Sequence, residues 1–243
     1  MANHAGNTSA SAELPSSRGT DTDDDRPPAR SRLRETALLV GLMSGGVVWG
    51  IAVKAVDGAG APLWVRDLGN YPALFLLALA VVAALSPTVL AAAVRTLLLF
   101  LGLCAGYYAW SLFGFGFLGT ASLAAWTAVV LTFVPASAAA VRWAAARPGG
   151  PLPGLVFAGI AAAALVDGTL RPMWWALSGH LRREDWFLLH PAQAVFDVAV
   201  ALLIACLLPR HGRTRAWALV LLLPMTFVAE RMVALAYAYG GLG

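Results

Sequence analysis

The chain has 243 residues, of which 59% are hydrophobic and only 12% are Asp, Glu, Lys or Arg. A soluble domain is on average about 25% charged, so this chain has too little charge to cover a surface that faces water. The formal charge of +4 does not indicate a nucleic-acid partner, because the basic residues flank hydrophobic runs. The composition therefore predicts an all-α integral membrane protein, a helical bundle whose surroundings are the lipid bilayer.

The first 34 residues are polar and contain almost nothing that could be buried. Four aspartates lie between positions 21 and 25, among Ser, Thr, Gly, Pro and Arg. The first apolar run begins only after Arg30, Arg32 and Arg34, which is not the order of a secretory signal. We therefore expect a disordered cytoplasmic tail over residues 1–34 and a multi-pass transmembrane domain over residues 35–243.

Apolar runs bounded by Arg, Pro and Gly give the candidate spans in chain order. They cover about 36–55, 71–86, 94–113, 121–142, 153–171, 190–208 and 215–239. The second run is short and follows an amphipathic connection from Pro62 to Asn70, so it is either a tilted span or a partial one. The pattern predicts six or seven transmembrane helices.

The basic residues beside the runs predict the orientation. With seven spans, ten of them lie on the side of the tail, and five lie on the other side, namely Lys54, Arg66, Arg171, Arg182 and Arg183. Loops with more Lys and Arg stay in the cytoplasm. We expect a bacterial cytoplasmic membrane protein with a cytoplasmic N-terminus and a C-terminus outside.

Small residues recur four positions apart in two of the spans. Gly41 with Gly45 and Gly46 with Gly50 give such steps in the first span, and Gly102 with Gly106 gives one in the third. This spacing lets membrane helices approach closely, so it predicts helix packing. Trp174, Trp175 and Trp186 lie in the connection between residues 171 and 190, which is typical of a loop or short helix at the outer interface.

Ionisable residues within spans are costly in lipid, and each is a functional hypothesis. Four are present: Asp167, Asp197, Glu230 and Arg231. In the seven-span topology, the three acids lie within roughly 15 Å of the outer edge at ~1.5 Å per residue. The aromatic and imidazole side chains of Tyr107, Tyr108 and His190 belong to the same layer.

Helical spacing sharpens this grouping. His190, Gln193 and Asp197 are three and seven residues apart, which places them on one face of the sixth span. The candidate ligand-binding set for an outward-facing polar pocket is therefore Tyr107, Tyr108, His190, Gln193, Asp197, Glu230 and Arg231. Pro224, which frees backbone carbonyls in the seventh span, suits a helix that lines a cavity.

Structural ion pairs are an alternative for the same charges. Glu230 or Asp197 would then pair with Arg231. Asp167 has Arg171 four residues later, in the favourable order of acid before base. The tyrosines would then be interfacial anchors rather than ligands.

Several chemistries lack a motif. The sequence has no Gly-rich phosphate loop and no Gly-x-Ser-x-Gly or His-Glu-x-x-His pattern, and no cofactor is indicated. We expect no metal site, because the weak grouping of His180, Glu184 and His190 includes two arginines that would repel a cation. Cys104 and Cys206 lie inside apolar runs and predict packing rather than a disulfide.

Local stretches resemble a family of small multi-pass membrane proteins of actinobacteria that is catalogued as a domain of unknown function. They are Leu68–Gly69–Asn70 before Pro72 and Ala73, Gly106–Tyr107–Tyr108, Trp126 with Arg142 and Trp143, and Asp167–Gly168, where the family is expected to carry Glu in place of Asp. The resemblance extends from about residue 38 onward. It implies a multi-pass fold and brings no activity.

The function predicted from these features is binding of a small molecule or ion in the outward-facing pocket, for transport or sensing. By architecture such a protein resembles the substrate-binding subunits of vitamin importers, which work with a separate ATPase subunit. One alternative is a membrane-embedded acid-base enzyme such as an isoprenoid cyclase, with Asp197 or Glu230 as the acid. A second alternative is a non-catalytic membrane scaffold.

Overall fold

The computed structural model describes residues 29–58, 60–166, 170–180 and 189–240, and within these ranges every regular element is a helix. The helices are α1 (Ala29–Gly58), α2 (Leu63–Asn70), α3 (Ala73–Leu85), α4 (Val89–Phe115), α5 (Thr120–Ala146), α6 (Pro151–Ala163), α7 (Leu170–Leu177), α8 (Pro191–Cys206) and α9 (Gly212–Gly240). The chain forms two units, Met1–Thr36 and Ala37–Gly243. The second unit contains the helical bundle.

The predicted tail lies mostly outside the described residues. Residues 1–28 belong to that part, whereas α1 already begins at Ala29. Residues 29–34 are therefore helical, although the sequence analysis assigned them to a disordered tail. The three arginines of this stretch are good helix formers, and helix can extend from an apolar run into such a flank.

Four of the described helices are long and apolar enough to cross a membrane. They are Leu33–Asp57, Val89–Phe115, Thr120–Ala146 and Gly212–Leu235. Three more apolar helices are shorter, namely Ala73–Leu85, Pro151–Ala163 and Pro191–Cys206. The predicted all-α class is thus confirmed for the described residues, and the four long apolar helices fit a multi-pass membrane protein. Each of these seven helices overlaps a predicted apolar run.

The short apolar helices form the centre of the bundle. α3 packs against α4, α5, α6 and α8, while α6 also contacts α5, α8 and α9. Their buried positions are rich in alanine, which lets helix backbones approach closely. At the α6–α9 contact, a Cβ added to Gly154 would lie only 2.5 Å from the Cβ of Trp217. Small residues therefore set the helix spacing in the core.

One end of the bundle carries arginines, and we call it the arginine end. There Nη2 of Arg142, near the end of α5, donates a hydrogen bond of 2.8 Å to the carbonyl of Pro87, between α3 and α4. A Cβ on Gly149, between α5 and α6, would lie 3.1 Å from the Cβ atoms of Arg213 and His211 at the start of α9. The connections α3–α4, α5–α6 and α8–α9 therefore share this end.

The opposite end carries the tyrosines, and we call it the tyrosine end. The hydroxyls of Tyr108 on α4 and Ser122 on α5 are 2.8 Å apart. The ammonium of Lys54 on α1 lies 5.0 Å from the centre of the Tyr107 ring. The end of α1, the end of α4 and the start of α5 thus meet here.

Glycines join α1 to α4 along most of their shared length. A Cβ on Gly46 would overlap the carbonyl oxygen of Leu99, and one on Gly50 would overlap that of Leu103. In return, Cβ atoms on Gly102 and Gly106 of α4 would overlap the carbonyl oxygens of Met43 and Val47 of α1, respectively. Residues with higher numbers on α1 contact residues with higher numbers on α4, so the two helices run parallel. Backbone contact this close is possible only between glycines, and it allows weak Cα–H···O bonds.

Candidate functional site: a polar cleft at the tyrosine end

The short helix α2 carries one wall of the cleft. It begins after Pro62 and is amphipathic, with Trp64 57% exposed and Asp67 only 5% exposed. α2 packs against α8, and Asp67 is buried there while Trp64 stays exposed. The sequence pattern predicted only an amphipathic connection here, whereas the segment forms a helix.

A buried acid and a histidine join α2 to α8. Nδ1 of His190 lies 2.8 Å from Oδ2 of Asp67, and because a carboxylate accepts, the imidazole donates. His190 precedes α8, whose first residue is Pro191, a favoured opening residue for a helix. The ring of Tyr71 meets the imidazole edge-on, with 5.7 Å between the ring centres. These contacts hold His190 in place from two sides.

A second acid reaches the cleft from the end of α1. Nζ of Lys54 lies 3.0 Å from Oδ2 of Asp57, three residues later on the same helix. The same ammonium lies over the rings of Tyr107, at 5.0 Å, and Phe115, at 5.6 Å. The aromatic faces of α4 thus stabilise the cation, and the cation in turn compensates Asp57.

These groups enclose a cleft of about 360 Å³ that is open to the surface. It is lined by Asp57, Leu63, Arg66, Asp67, Tyr71 and His190. Each acid has a basic partner, Lys54 for Asp57 and His190 for Asp67. Nε of Arg66 differs, because it is buried and has no hydrogen-bond partner. The cleft therefore presents one guanidinium group with capacity to bind an anion.

The residues predicted for the pocket occupy three different surroundings. His190 lines the cleft, whereas Tyr107 contacts Lys54, the partner of the lining residue Asp57. Tyr108 meets the Tyr107 ring at 5.2 Å and bonds Ser122, away from the lining residues. The tyrosines and His190 thus lie at the same end of the bundle.

Gln193 and Asp197 lie in the protein interior. Gln193 is 2% exposed and Asp197 is 0% exposed. Nε2 of Gln193 donates to Oδ1 of Asp197, which matches their predicted position on one face of α8. The oxygen of the same amide, Oε1 of Gln193, is buried and has no hydrogen-bond partner. This arrangement favours a structural pair.

Glu230 and Arg231 lie on the side of α9 that faces away from the bundle. Both side chains are exposed, and the Arg231 guanidinium lies 5.0 Å from the ring centre of Phe227, one turn earlier. The structure therefore does not bring them together with Asp197 or the cleft. Asp167 lies outside the described residues, and so does the side chain of Arg171, so their ion pair stays a prediction.

Four polar lining residues were not among the predicted ligands: Asp57, Arg66, Asp67 and Tyr71. The first three lie between the first two apolar runs, where charged residues usually indicate solvated connections, and Tyr71 begins the second run. The available signal was the amphipathic pattern of α2. His190 is 123 residues away from Asp67, so the pairing itself depends on the fold.

Comparisons with protein-family models, curated proteins and solved structures found no match to the chain. The suspected resemblance to an actinobacterial family stays a prediction. Among the described residues, no group of three His, Cys, Asp or Glu side chains could hold a metal ion. The site is therefore interpreted from its own chemistry.

The hydrogen bond between α4 and α5 gives a first testable prediction. Tyr108→Phe and Ser122→Ala should each lower the unfolding free energy by about 0.5–1.5 kcal/mol, because each removes the same bond. The double variant should lose about as much as either single variant, since the bond is lost only once. Thermal unfolding in detergent measures this coupling, and additive losses would show that the two hydroxyls act independently.

Proposed function

We propose that the protein crosses the membrane seven times, with α3, α6 and α8 as short inner spans beside the four long ones. Two observations support this. The connections α3–α4, α5–α6 and α8–α9 meet at the arginine end, while the termini of α1, α4 and α5 next to the cleft meet at the tyrosine end. A helix of 13 residues is about 20 Å long, and such a helix is tolerated at membrane depth when protein surrounds it.

The tyrosine end is proposed to face outside the cell. The excess of basic residues on the other side supports this through the positive-inside rule. Exposed tryptophans Trp64 on α2 and Trp174 on α7 suit the membrane interface, where an indole places its polar edge toward water. The cleft would then open to the outer surface of a bacterial cytoplasmic membrane.

The proposed activity is binding of a small anionic molecule in the cleft, for transport or sensing. The observation that carries it is the guanidinium of Arg66, whose buried Nε has no hydrogen-bond partner, while the neighbouring acids are paired. Guanidinium groups bind carboxylates and phosphates through two parallel hydrogen bonds. His190 and Tyr71 would add a donor and an aromatic wall beside the anion.

Transport and sensing place different demands on the rest of the chain. A transporter of this size without a phosphate-binding loop would need a partner ATPase subunit or an ion gradient. A sensor would need a change at the arginine end when the cleft is occupied. The parallel, glycine-joined pair α1–α4 links the two ends and is the element through which such a change would pass.

Thermal unfolding of the purified protein with defined probes tests the proposal. We expect millimolar phosphate and succinate to raise the melting temperature, because both carry oxyanions that fit a guanidinium. Choline, a cation of comparable size, should have no effect. Arg66→Gln should abolish the shift, since glutamine keeps a similar chain length and removes the charge.

Arg213→Gln is the matched control, because Arg213 is an exposed arginine at the other end of the bundle. This variant should respond to phosphate as the unmodified protein does. Equal shifts with choline and phosphate, or an unchanged shift in Arg66→Gln, would show that the cleft is not an anion site.

A further inference from the structure

The face of α9 that points away from the bundle combines exposed apolar residues with two opposite charges. It consists of Val220, Leu223, Phe227, Glu230, Arg231 and Ala234, and we call it the outer face of α9. Val220 is 65%, Leu223 78% and Phe227 58% exposed. Glu230 and Arg231 are exposed beside them, within the candidate span Gly212–Leu235.

The opposite side of the same helix makes its contacts within the protein. Ala218 is 0% and Leu222 is 9% exposed, and α9 contacts α6 and α8. At about 100° per residue, Phe227 lies roughly 180° around the helix from Ala218. In the most apolar 18-residue stretch of α9, only 6% of the residues are buried, whereas 33% are buried in the corresponding stretch of α4. The bundle therefore leaves this face uncovered.

An uncovered face of this composition is unfavourable in lipid. Charged side chains within a span cost several kcal/mol when they face hydrocarbon, and they normally face protein or water. Glu230 also has a short side chain that cannot reach the interface as easily as lysine or arginine. A protein partner that pairs both charges would remove this cost.

The residue spacing indicates what kind of partner fits. Residues 220, 223, 227, 230 and 234 are separated by steps of three, four, three and four. This is the seam of a left-handed pair of helices, in which residues of one helix fit between those of the other. Arg231 directly flanks the seam, next to the position of Glu230.

We propose that this face binds the same face of a second copy of the chain, forming a twofold-symmetric dimer. Copies inserted in one membrane have the same orientation, so their α9 helices would run parallel. Glu230 of each copy then faces the partner's Glu230 across the seam, and Arg231 of each copy, which flanks the seam, lies beside the partner's Glu230, so that the two guanidiniums compensate the two carboxylates. The face is thus complementary to itself, as a twofold interface requires.

The contact of Arg231 with Phe227 fits this arrangement. The guanidinium lies 5.0 Å from the ring centre, so it is held against the helix surface beside the seam. A cation ordered in this way loses less conformational freedom when it pairs. The dimer is independent of the cleft, which lies at α1, α2 and α8.

Variants with reversed charges at Glu230 and Arg231, reconstituted in liposomes, test the dimer. Copies labelled with donor or acceptor dyes at the N-terminus are reconstituted at low protein-to-lipid ratio, and energy transfer is measured. The unmodified protein should form dimers. E230R copies, with two cations, and R231E copies, with two anions, should each dimerise roughly 10–100-fold more weakly.

Mixing the two single variants should restore energy transfer, because each then meets opposite charges. The double exchange E230R/R231E should also dimerise by itself. Arg147→Glu, a charge reversal at an exposed position between α5 and α6, should leave dimerisation unchanged. A monomeric unmodified protein, retained dimers in both single variants, or failure of the mixture would each overturn the proposal.

Discussion

Replacing Gly46 by valine should strongly destabilise the protein, whereas the same replacement of Gly45 should have little effect. A Cβ on Gly46 would overlap the Leu99 carbonyl, and a backbone atom cannot turn aside as a flexible side chain does. A Cβ on Gly45 meets nothing within 4 Å. We expect a loss of about 1–3 kcal/mol or more for Gly46→Val, measured by thermal unfolding in detergent.

Gly46→Val should also disturb the cleft. Gly50, one turn after Gly46, touches the backbone of α4 at Leu103 and Tyr107, and Lys54 lies one further turn along α1. The close approach of the two helices thus sets the distance from Lys54 to the Tyr107 ring and brings Asp57 to the cleft. Gly46→Val should therefore also weaken the phosphate-induced shift, while Gly45→Val keeps it. Equal stability losses for the two variants would contradict the proposed glycine contact.

The contrast between Gly45 and Gly46 shows how far the sequence predicts the helix packing. Steps of four between glycines indicate close contact, and they occurred at Gly41 with Gly45 as well as at Gly46 with Gly50. The two sets point to different sides of α1. Only the position of α4 selects between them, and that position depends on all the other helices of the bundle.

The existence of the helices could be predicted, because long apolar runs in the sequence indicate them. Each apolar run corresponds to a helix, and the amphipathic segment after Pro62 is α2. The rotation of α9 could not be predicted in the same way. A helix that is apolar all round has no preferred side in its sequence, so Glu230 was expected to face the pocket, although its side chain points outward.

The lining of the cleft could not be predicted, because it depends on contacts between residues that are far apart in the sequence. His190 was recognised by its position at the start of a span, but its partner Asp67 lies on a short helix that looks like a solvated connection. Arg66 likewise looked like an orientation signal. Charged residues at span ends serve orientation, anchoring and binding alike, and only their neighbours in space distinguish these roles.

The buried pair on α8 yields a prediction in which a second substitution restores stability. Gln193→Leu removes the amide that donates to the Asp197 carboxyl group, and Asp197 is 0% exposed. Losing a hydrogen bond to a charged group costs about 1.5–3 kcal/mol. Asp197→Ala alone should cost less, about 0.5–1.5 kcal/mol, because Gln193, from which it removes an acceptor, is neutral.

Combining Gln193→Leu with Asp197→Ala should give a protein more stable than Gln193→Leu alone. The double variant has no buried polar group at either position, and it also removes Oε1 of Gln193, which has no hydrogen-bond partner. Thermal unfolding in detergent gives the order of stability of the two single variants and the double variant. A double variant less stable than Gln193→Leu would show that Asp197 stabilises the bundle through other contacts.

The double variant also separates structure from function at this position. From the sequence, Asp197 was a candidate ligand in the polar pocket, whereas in the folded chain it is buried with Gln193, and the cleft is lined by other residues. If the pair only supports the bundle, the double variant should keep the phosphate-induced shift that Arg66→Gln loses. Loss of that shift in a variant that remains folded would instead make Asp197 part of the binding site.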